Sequence, residues 1–296
     1  MDDVIIIGGS FAGLAAALNL GRARRRVTIV DTGMPRNRYA SHAHGLLGHD
    51  GKPPSEILAE ARAQLAPYGT VRFVKARAAS ASGGPDDFAI LTDDSETLKA
   101  RRLLLSYGIA DQFPDIEGFE ACWGKSVIHC PYCHGFEYAG QSWGLVYSTP
   151  MSLHAPLLYS DWTDKLTLFT DGNDIPEAER SKLDKRGVKL VEGKVISIQH
   201  EGGQLSSVTT ADGAVTTLDA LFAHPRVKPS ADLHAQLGLE TVETPFGIAL
   251  KVDDKQKTSG DGIYAAGDLV SPMHSLTIAV YTGAMAGINA QQSMLV

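Results

Sequence analysis

Cysteine is scarce in this chain of 296 residues, which contains three. The chain opens acidic, with Met1, Asp2 and Asp3, and its first apolar run, residues 4–7, is far too short for a secretion signal. Few cysteines and no signal argue against a framework of structural disulfides and for a cytoplasmic location. Long apolar runs are also missing. The longest uncharged stretch, residues 141–160, carries Pro150, Pro156 and many polar side chains, so no membrane span is expected. Excess positive charge is absent too. The formal net charge is -7, which argues against nucleic acid as a partner, because phosphate recognition needs a basic surface. No fixed repeat and no low-complexity tract occur.

What is present is the pattern of a globular α/β protein of about two domains. Residues 4–7 read as a buried strand, Gly8 and Gly9 break it, residues 12–20 read as a helix and residues 27–31 as the next strand. This βαβ opening predicts a parallel sheet. A helix follows Pro53 and Pro54, with Ser55 as its expected N-cap and Ile57, Leu58, Ala61 and Leu65 on one face. Residues 71–107 read as strands and turns. A stretch with proline and glycine near residue 114 marks a first domain crossing. Residues 144–147, 152–162 and 166–169 read as strand, helix and strand of a second unit, and the strand-like segments of residues 188–222 continue it. Residues 224–229 mark the return. The chain closes with a strand at residues 262–265 and a helix over about residues 275–291. The expected organisation is therefore a domain made of residues 1–114 and 226–296, with residues 115–225 inserted into it.

The segment Gly8-Gly9-Ser10-Phe11-Ala12-Gly13 lies at the first strand-to-helix turn. Glycine there lets a dinucleotide diphosphate approach the backbone, and the helix N-terminus favours its charge. Ser10 replaces the middle glycine of the usual fingerprint. Asp31, ending the next strand, stands where a carboxylate accepts from a ribose hydroxyl. The plainer alternative is a tight turn with no ligand. Flavin and nicotinamide are not separated by this motif.

Cys130-Pro131-Tyr132-Cys133 places two thiols at a spacing that a turn into a helix can bring within disulfide range. A helix N-terminus there favours the thiolate, the attacking species. His129 and His134 flank the pair and titrate near neutral pH. A zinc site would need two more ligands at the right spacing, and none is evident. An inert buried pair is the third reading. Cys122, beside Trp123, reads as a core residue. His42, His44 and His49 cluster in one loop, which a metal, a cofactor contact or plain solvation would each explain.

In order and content these motifs resemble the low-molecular-weight thioredoxin reductases. The run of residues 260–268, ending Ala265-Ala266-Gly267-Asp268, is similar to the second FAD motif of two-dinucleotide-fold flavoproteins. Gly-Gly-Ser-Phe-Ala-Gly and His-Cys-Pro-Tyr-Cys-His-Gly-Phe-Glu look closest to a branch that includes dithiol oxidases of the gliotoxin and holomycin type. The resemblance covers essentially the whole chain. It implies an α/β protein with two Rossmann-like dinucleotide-binding folds, the second inserted in the first, and a homodimer. It implies FAD held by Gly8, Ser10, Phe11, Ala12, Gly13, Asp31, His44, Gly45, Gly108, Gly267 and Asp268. It implies catalysis by Cys130 and Cys133, with Cys133 on the flavin side, and by His134 where the reductases carry an aspartate. Helix capping is the plainer role for His134. Leu105-Ser106-Tyr107-Gly108 stands where the family has Ala-Thr-Gly, and Tyr107 departs from it.

One expected feature is missing. A thioredoxin reductase needs a glycine-rich turn for NADPH in its inserted domain, and here Ser148-Thr149-Pro150-Met151-Ser152 follows the strand instead. Pro150 has no N–H for a phosphate, and Asp171 follows the next strand where the family has arginines. His274-Ser275 replaces the Arg-Gln expected near the flavin. NADPH is therefore doubtful. The expected activity is FAD-dependent dithiol/disulfide exchange on a small molecule or a thioredoxin-like protein. It would run as an oxidase passing electrons to oxygen or as a reductase fed by ferredoxin. The alternatives are an NADPH-dependent disulfide reductase and a flavin-containing redox sensor. No metal is expected.

Overall fold

The computed structural model describes residues 1–295. Strand β1 (Asp2–Ile7) is the buried centre of the first sheet, with Val4, Ile5 and Ile6 at 0% exposure. An unbroken apolar run fits a parallel strand covered on both faces. Helix α1 (Phe11–Arg22) crosses to β2 (Val27–Asp31), which pairs parallel with β1 in the register Val4 to Val27. Helix α2 (Pro54–Ala63) then leads to β3 (Val71–Lys75), parallel to β2. This helix starts two residues earlier than the sequence suggests. Pro53 is its N-cap and Ser55 lies inside it, because proline fits the first helical position, where an N–H would have no partner.

Strands β4 (Ala78–Ser82) and β5 (Phe88–Thr92) form an antiparallel pair. They extend the sheet from the first half of β6 (Thr97–Leu105). The second half of β6 pairs parallel with β1, as Ile5 to Leu103. Strand β7 (Ile109–Gln112) leads out of this unit.

The inserted unit follows. It contains α3 (Phe119–Cys122), β8 (Val127–Ile128), the single-turn helix α4 (Pro131–His134), β9 (Trp143–Val146) and α5 (Ala155–Tyr159). It continues through β10 (Leu166–Phe169), α6 (Glu177–Asp184) and β11 (Lys189–Val191). The expected helix over residues 152–162 is instead a 3-10 turn, Pro150–Leu153, followed by the five-residue α5. Strands β12 (Val195–Glu201), β13 (Gln204–Thr210) and β14 (Val215–Thr217) form an antiparallel sheet, and β15 (Ala220–Phe222) returns to the parallel one. The parallel order is β11-β10-β9-β15-β8. Trp143, Tyr159 and Phe222 fill its core, with ring centroids 4.6–5.8 Å apart.

The chain re-enters the first unit through β16 (Arg226–Pro229), α7 (Leu233–Gln236), β17 (Thr241–Thr244), β18 (Gly247–Leu250) and β19 (Ile263–Ala265). Strand β19 pairs parallel with β6, which completes the parallel series β3-β2-β1-β6-β19. Helix α8 (Leu276–Gln292) closes the chain, capped by the Ser275 hydroxyl, which accepts from the Ile278 amide. The architecture is α/β, with two Rossmann-like folds, the second inserted in the first. By compactness one unit comprises Met1–Arg38, Leu46–Asp111 and the chain from Val227 onward, and the other Tyr39–Gly45 and Gln112–Arg226. Among the described residues no helix is long and apolar enough to cross a membrane.

Helix α8 lies directly on α1. A Cβ on Gly283 would sit 2.1 Å from the Ala12 carbonyl oxygen, and one on Gly287 would sit 2.8 Å from that of Ala16. Gly283→Ala is therefore expected to cost about 1–3 kcal/mol by overpacking. A thermal melt should show a lowered midpoint. Gly69→Ala, where nothing lies within 4 Å, should leave that midpoint nearly unchanged.

A candidate dithiol pair and dinucleotide turn

The turn from β1 to α1 is built around missing side chains. Gly8 has φ +105°, and a Cβ there would lie 2.3 Å from the Ser106 carbonyl oxygen. A Cβ on Gly13 would lie 1.9 Å from the Gly8 carbonyl oxygen. The Ser106 hydroxyl, buried behind the turn, donates to the Ile7 and Gly8 carbonyls at 3.2 and 2.9 Å. Ser10 is the N-cap of α1, and no side chain caps the first amides of this 12-residue helix. Phe11, Ala12 and Gly13 form that first turn and are buried. Backbone held close, with N–H groups uncapped at a helix start, suits an anionic diphosphate. A dinucleotide such as FAD thus fits the residues present.

Asp31 ends β2, and its Oδ2 accepts from Arg62 Nη2 at 2.6 Å. The same Arg62 nitrogen reaches the Gly9 carbonyl at 3.4 Å. Gly108 has φ +72° with open space around it, while Gly267 has φ +78° and packs on Ala12. The Gly267 amide donates to the buried Thr282 hydroxyl at 3.0 Å. Asp268 faces Arg36, whose Nη1 lies 3.3 Å from Oδ2, and Arg36 also forks onto Asp111 at 2.6 and 3.0 Å. Burial alone would lower the Arg36 pKa, but the hydrogen bonds and charges of Asp111 and Asp268 outweigh it and raise the value. Tyr107, the departure from the family pattern, packs against the first unit's core. Its hydroxyl lies 3.3 Å from His234 Nδ1, and burial pushes its pKa up.

The thiols of Cys130 and Cys133 lie 2.8 Å apart, with Cys133 donating. Cys130 is the N-cap of α4, and Pro131 begins that turn. Hydrogen bonding from the Cys133 thiol pulls the Cys130 pKa down to about 7, against the opposing effect of burial, and backbone N–H groups of Cys133 and Tyr132 add to it. The same hydrogen bond, with burial and the Cys130 charge, drives the Cys133 pKa up. The pair therefore has a ready thiolate, Cys130, and a held thiol, Cys133. Cys122 is fully buried, which raises its pKa. His134 follows the pair on α4. Burial lowers its pKa, and its Nδ1 is buried without a hydrogen-bond partner among the described residues. Tyr132 and Phe136 beside the pair are 70% and 84% exposed.

His44 and Gly45 group with the unit that carries the dithiol, and not with the Gly8 turn. His44 Nε2 lies 3.4 Å from Glu137 Oε1, three residues beyond His134. The loop histidines diverge. His42 meets the Ser41 hydroxyl, His49 lies 3.6 Å from Glu60 and His44 meets Glu137. Among the described residues no three His, Cys, Asp or Glu side chains converge as metal ligands.

The corresponding turn of the inserted unit is closed on itself. After β9, the Ser152 hydroxyl accepts from the Ser148 amide at 3.1 Å and from the Thr149 amide at 3.3 Å. The amides that a diphosphate would need are taken, and Pro150 offers none. Asp171, with φ +51°, accepts from the Val195 amide at 2.9 Å. The Ser148 and Thr149 amides of this turn are thus satisfied within it. Arg36, Arg62 and Asp111 belong to none of the sequence motifs. Each acts through a partner far away in the sequence.

The sequence pattern of the family described as Pyridine nucleotide-disulphide oxidoreductase matches residues 2–146 and 163–291. Thioredoxin reductase sirT of Leptosphaeria maculans is 34% identical over 96% of this chain and 92% of its own. Thioredoxin reductase tcpT of Claviceps purpurea is 31% identical over 99% and 94%. The crystal structure of an oxidoreductase from Agrobacterium tumefaciens superposes with a TM-score of 0.95, at 41% identity, over 99% of this chain and 98% of that one.

The lowered Cys130 pKa sets a pH signature. Below about 7 Cys130 is a thiol, and above it a thiolate. Pulsed alkylation of the reduced protein, read by peptide mass spectrometry, should label Cys130 at a rate that climbs through pH 7 and levels off above it. Cys122 and Cys133 should stay slow over that range.

Proposed function

The chain belongs to the pyridine nucleotide-disulphide oxidoreductase family and is a flavin-dependent thiol/disulfide oxidoreductase, and we propose that it oxidises dithiols without NADPH, with oxygen as the final acceptor. The observation that carries this reading is the contrast between two turns. The β1–α1 turn leaves its helix amides open, whereas the turn after β9 spends its amides on Ser152. The turn at Gly8, with Asp31, Gly108, Gly267 and Asp268, would hold one dinucleotide, FAD. When bound it supplies a two-electron sink.

The residues of the chain do the sulfur chemistry. With the pair oxidised, a substrate thiolate attacks Sγ of Cys130. A mixed disulfide forms and Cys133 leaves as the thiolate. The second substrate thiol then attacks the substrate sulfur of the mixed disulfide, which releases the substrate as a disulfide and Cys130 as the thiolate. Neutral His134, its pKa lowered by burial, takes the proton of the attacking thiol. The two electrons gained by the pair are those that bound FAD would take up and pass to oxygen, which would become hydrogen peroxide. In the second exchange the leaving thiolate is Cys130, whose lowered pKa makes it the better leaving group. Exposed Tyr132 and Phe136 suit a small, partly apolar dithiol. Glu137 pairs with His44 beside them.

The names of the relatives favour a second reading, NADPH-dependent disulfide reduction. Parallel anaerobic titrations separate the two. Dithiothreitol should bleach the flavin absorbance, and stoichiometric NADPH should leave it unchanged over the same seconds. Rapid bleaching by NADPH would sink the oxidase reading. Cys133→Ser should abolish bleaching by the dithiol.

A homodimer is part of the same proposal. Val280, Tyr281 and Ile288 leave an apolar stripe on the outer face of α8, with Tyr281 60% exposed. Light scattering of Tyr281→Glu is expected to show a shift toward the monomer mass. An unchanged dimer would remove this helix from the interface.

A further inference from the structure

The dinucleotide motifs leave a partly buried cation unexplained. Arg36 has 19% of its side chain exposed, and its partners Asp111 and Asp268 have 7% and 23%. Nε and Nη2 fork onto the two Asp111 oxygens at 3.0 and 2.6 Å, while Nη1 is left for Asp268 at 3.3 Å. The planar fork fixes both carboxylates at once, which a lysine would not do as a point charge. Arg36 stands just before Arg38, where the chain first leaves its unit, and Asp111 is the last residue before the long insertion. The trio thus ties both chain exits to the Gly267-Asp268 turn.

We propose that Arg36 is a positioning residue for the flavin site, which orients the Asp268 carboxylate and cancels charge that would otherwise repel an anionic cofactor. The inference rests on the reading of Asp268 as a flavin contact. A diphosphate brings negative charge to this end of the first unit. Without the guanidinium the trio contributes two uncompensated carboxylates, and with it one net negative charge. Because Oδ2 accepts from Arg36 Nη1, Oδ1 of Asp268 is left to accept from a cofactor hydroxyl. Asp111 acts one step back, by holding the fork in place.

The test uses the full-length protein stripped of FAD and titrated with FAD, with flavin fluorescence as the readout for affinity and a dye-coupled titration for the flavin midpoint potential. Arg36→Met is expected to weaken FAD binding about tenfold or more, the scale of a lost charge-assisted hydrogen bond. It should also make the midpoint potential more negative, because reduced flavin loses a nearby positive charge. Arg36→Lys should recover part of both. Asp111→Asn, which loosens the fork while Arg36 stays, should move affinity in the same direction and by less, and it serves if Arg36→Met does not fold. Wild-type affinity and potential in Arg36→Met would overturn the proposal. So would weakened binding with an unmoved potential and no recovery in Arg36→Lys, the pattern of a purely structural staple. Asp268→Asn separates the two layers of argument. If it binds FAD as the wild type does, the reading of Asp268 fails and Arg36 with it. If it binds weakly while Arg36→Met binds normally, only the role of Arg36 fails.

Discussion

A helix begins with amides that have no partner within the helix, and what satisfies them decides what the turn can bind. This one constraint separates the two Rossmann-like units. In the first, glycine at positions 8 and 13 brings the backbone of the turn, of α1 and of the chain just after β6 so close that no side chain enters, and the amides of α1 stay uncapped. In the second, a serine hydroxyl four residues along the chain folds back onto the amides and a proline starts the turn. The two folds share a topology and differ in the satisfaction of a few N–H groups.

The first turn is held open by packing behind it. Ser106 fastens the Ile7 and Gly8 carbonyls, Gly267 rests on Ala12, and Gly283 lets α8 press its backbone against the carbonyl of Ala12. These contacts join β1, β6, β19, α1 and α8, elements from both ends of the chain. A parallel sheet with its last strand and helix drawn from the C-terminal segment is thus a condition for the geometry of the Gly8 turn.

The dithiol depends on a different interaction. One thiol donates to the other, so the two cysteines become unlike although their sequence neighbourhoods are similar. A shared proton pulls one pKa down and pushes the other up, which gives the pair a direction. Cys130 is the thiol drawn toward the thiolate, and Cys133 is the partner that holds its proton.

Much of this was legible in the residues alone. The strand-turn-helix at Gly8, the cysteine pair and the return motif at Gly267-Asp268 are local patterns, and local patterns survive in sequence because their spacing is their mechanism. The loss of the second glycine turn was legible for the same reason. The start of α2, the short α5 and the placement of His44 were less so. Proline at a helix start, a self-capping hydroxyl and a loop grouped with the other unit each override a local preference. The charge cluster of Arg36, Asp111 and Asp268 was not legible at all. Its members are 75 and 232 positions apart, and no spacing rule relates them. The sequence by itself determined the α/β class, and it marked the Gly8 turn and the Cys130–Cys133 pair as the candidate cofactor and redox sites. Only the tertiary structure decided which cysteine carries the charge, whether the second turn has amides to offer, and which cation answers Asp268. Those depend on atoms meeting across the fold, where distance in space is independent of distance along the chain.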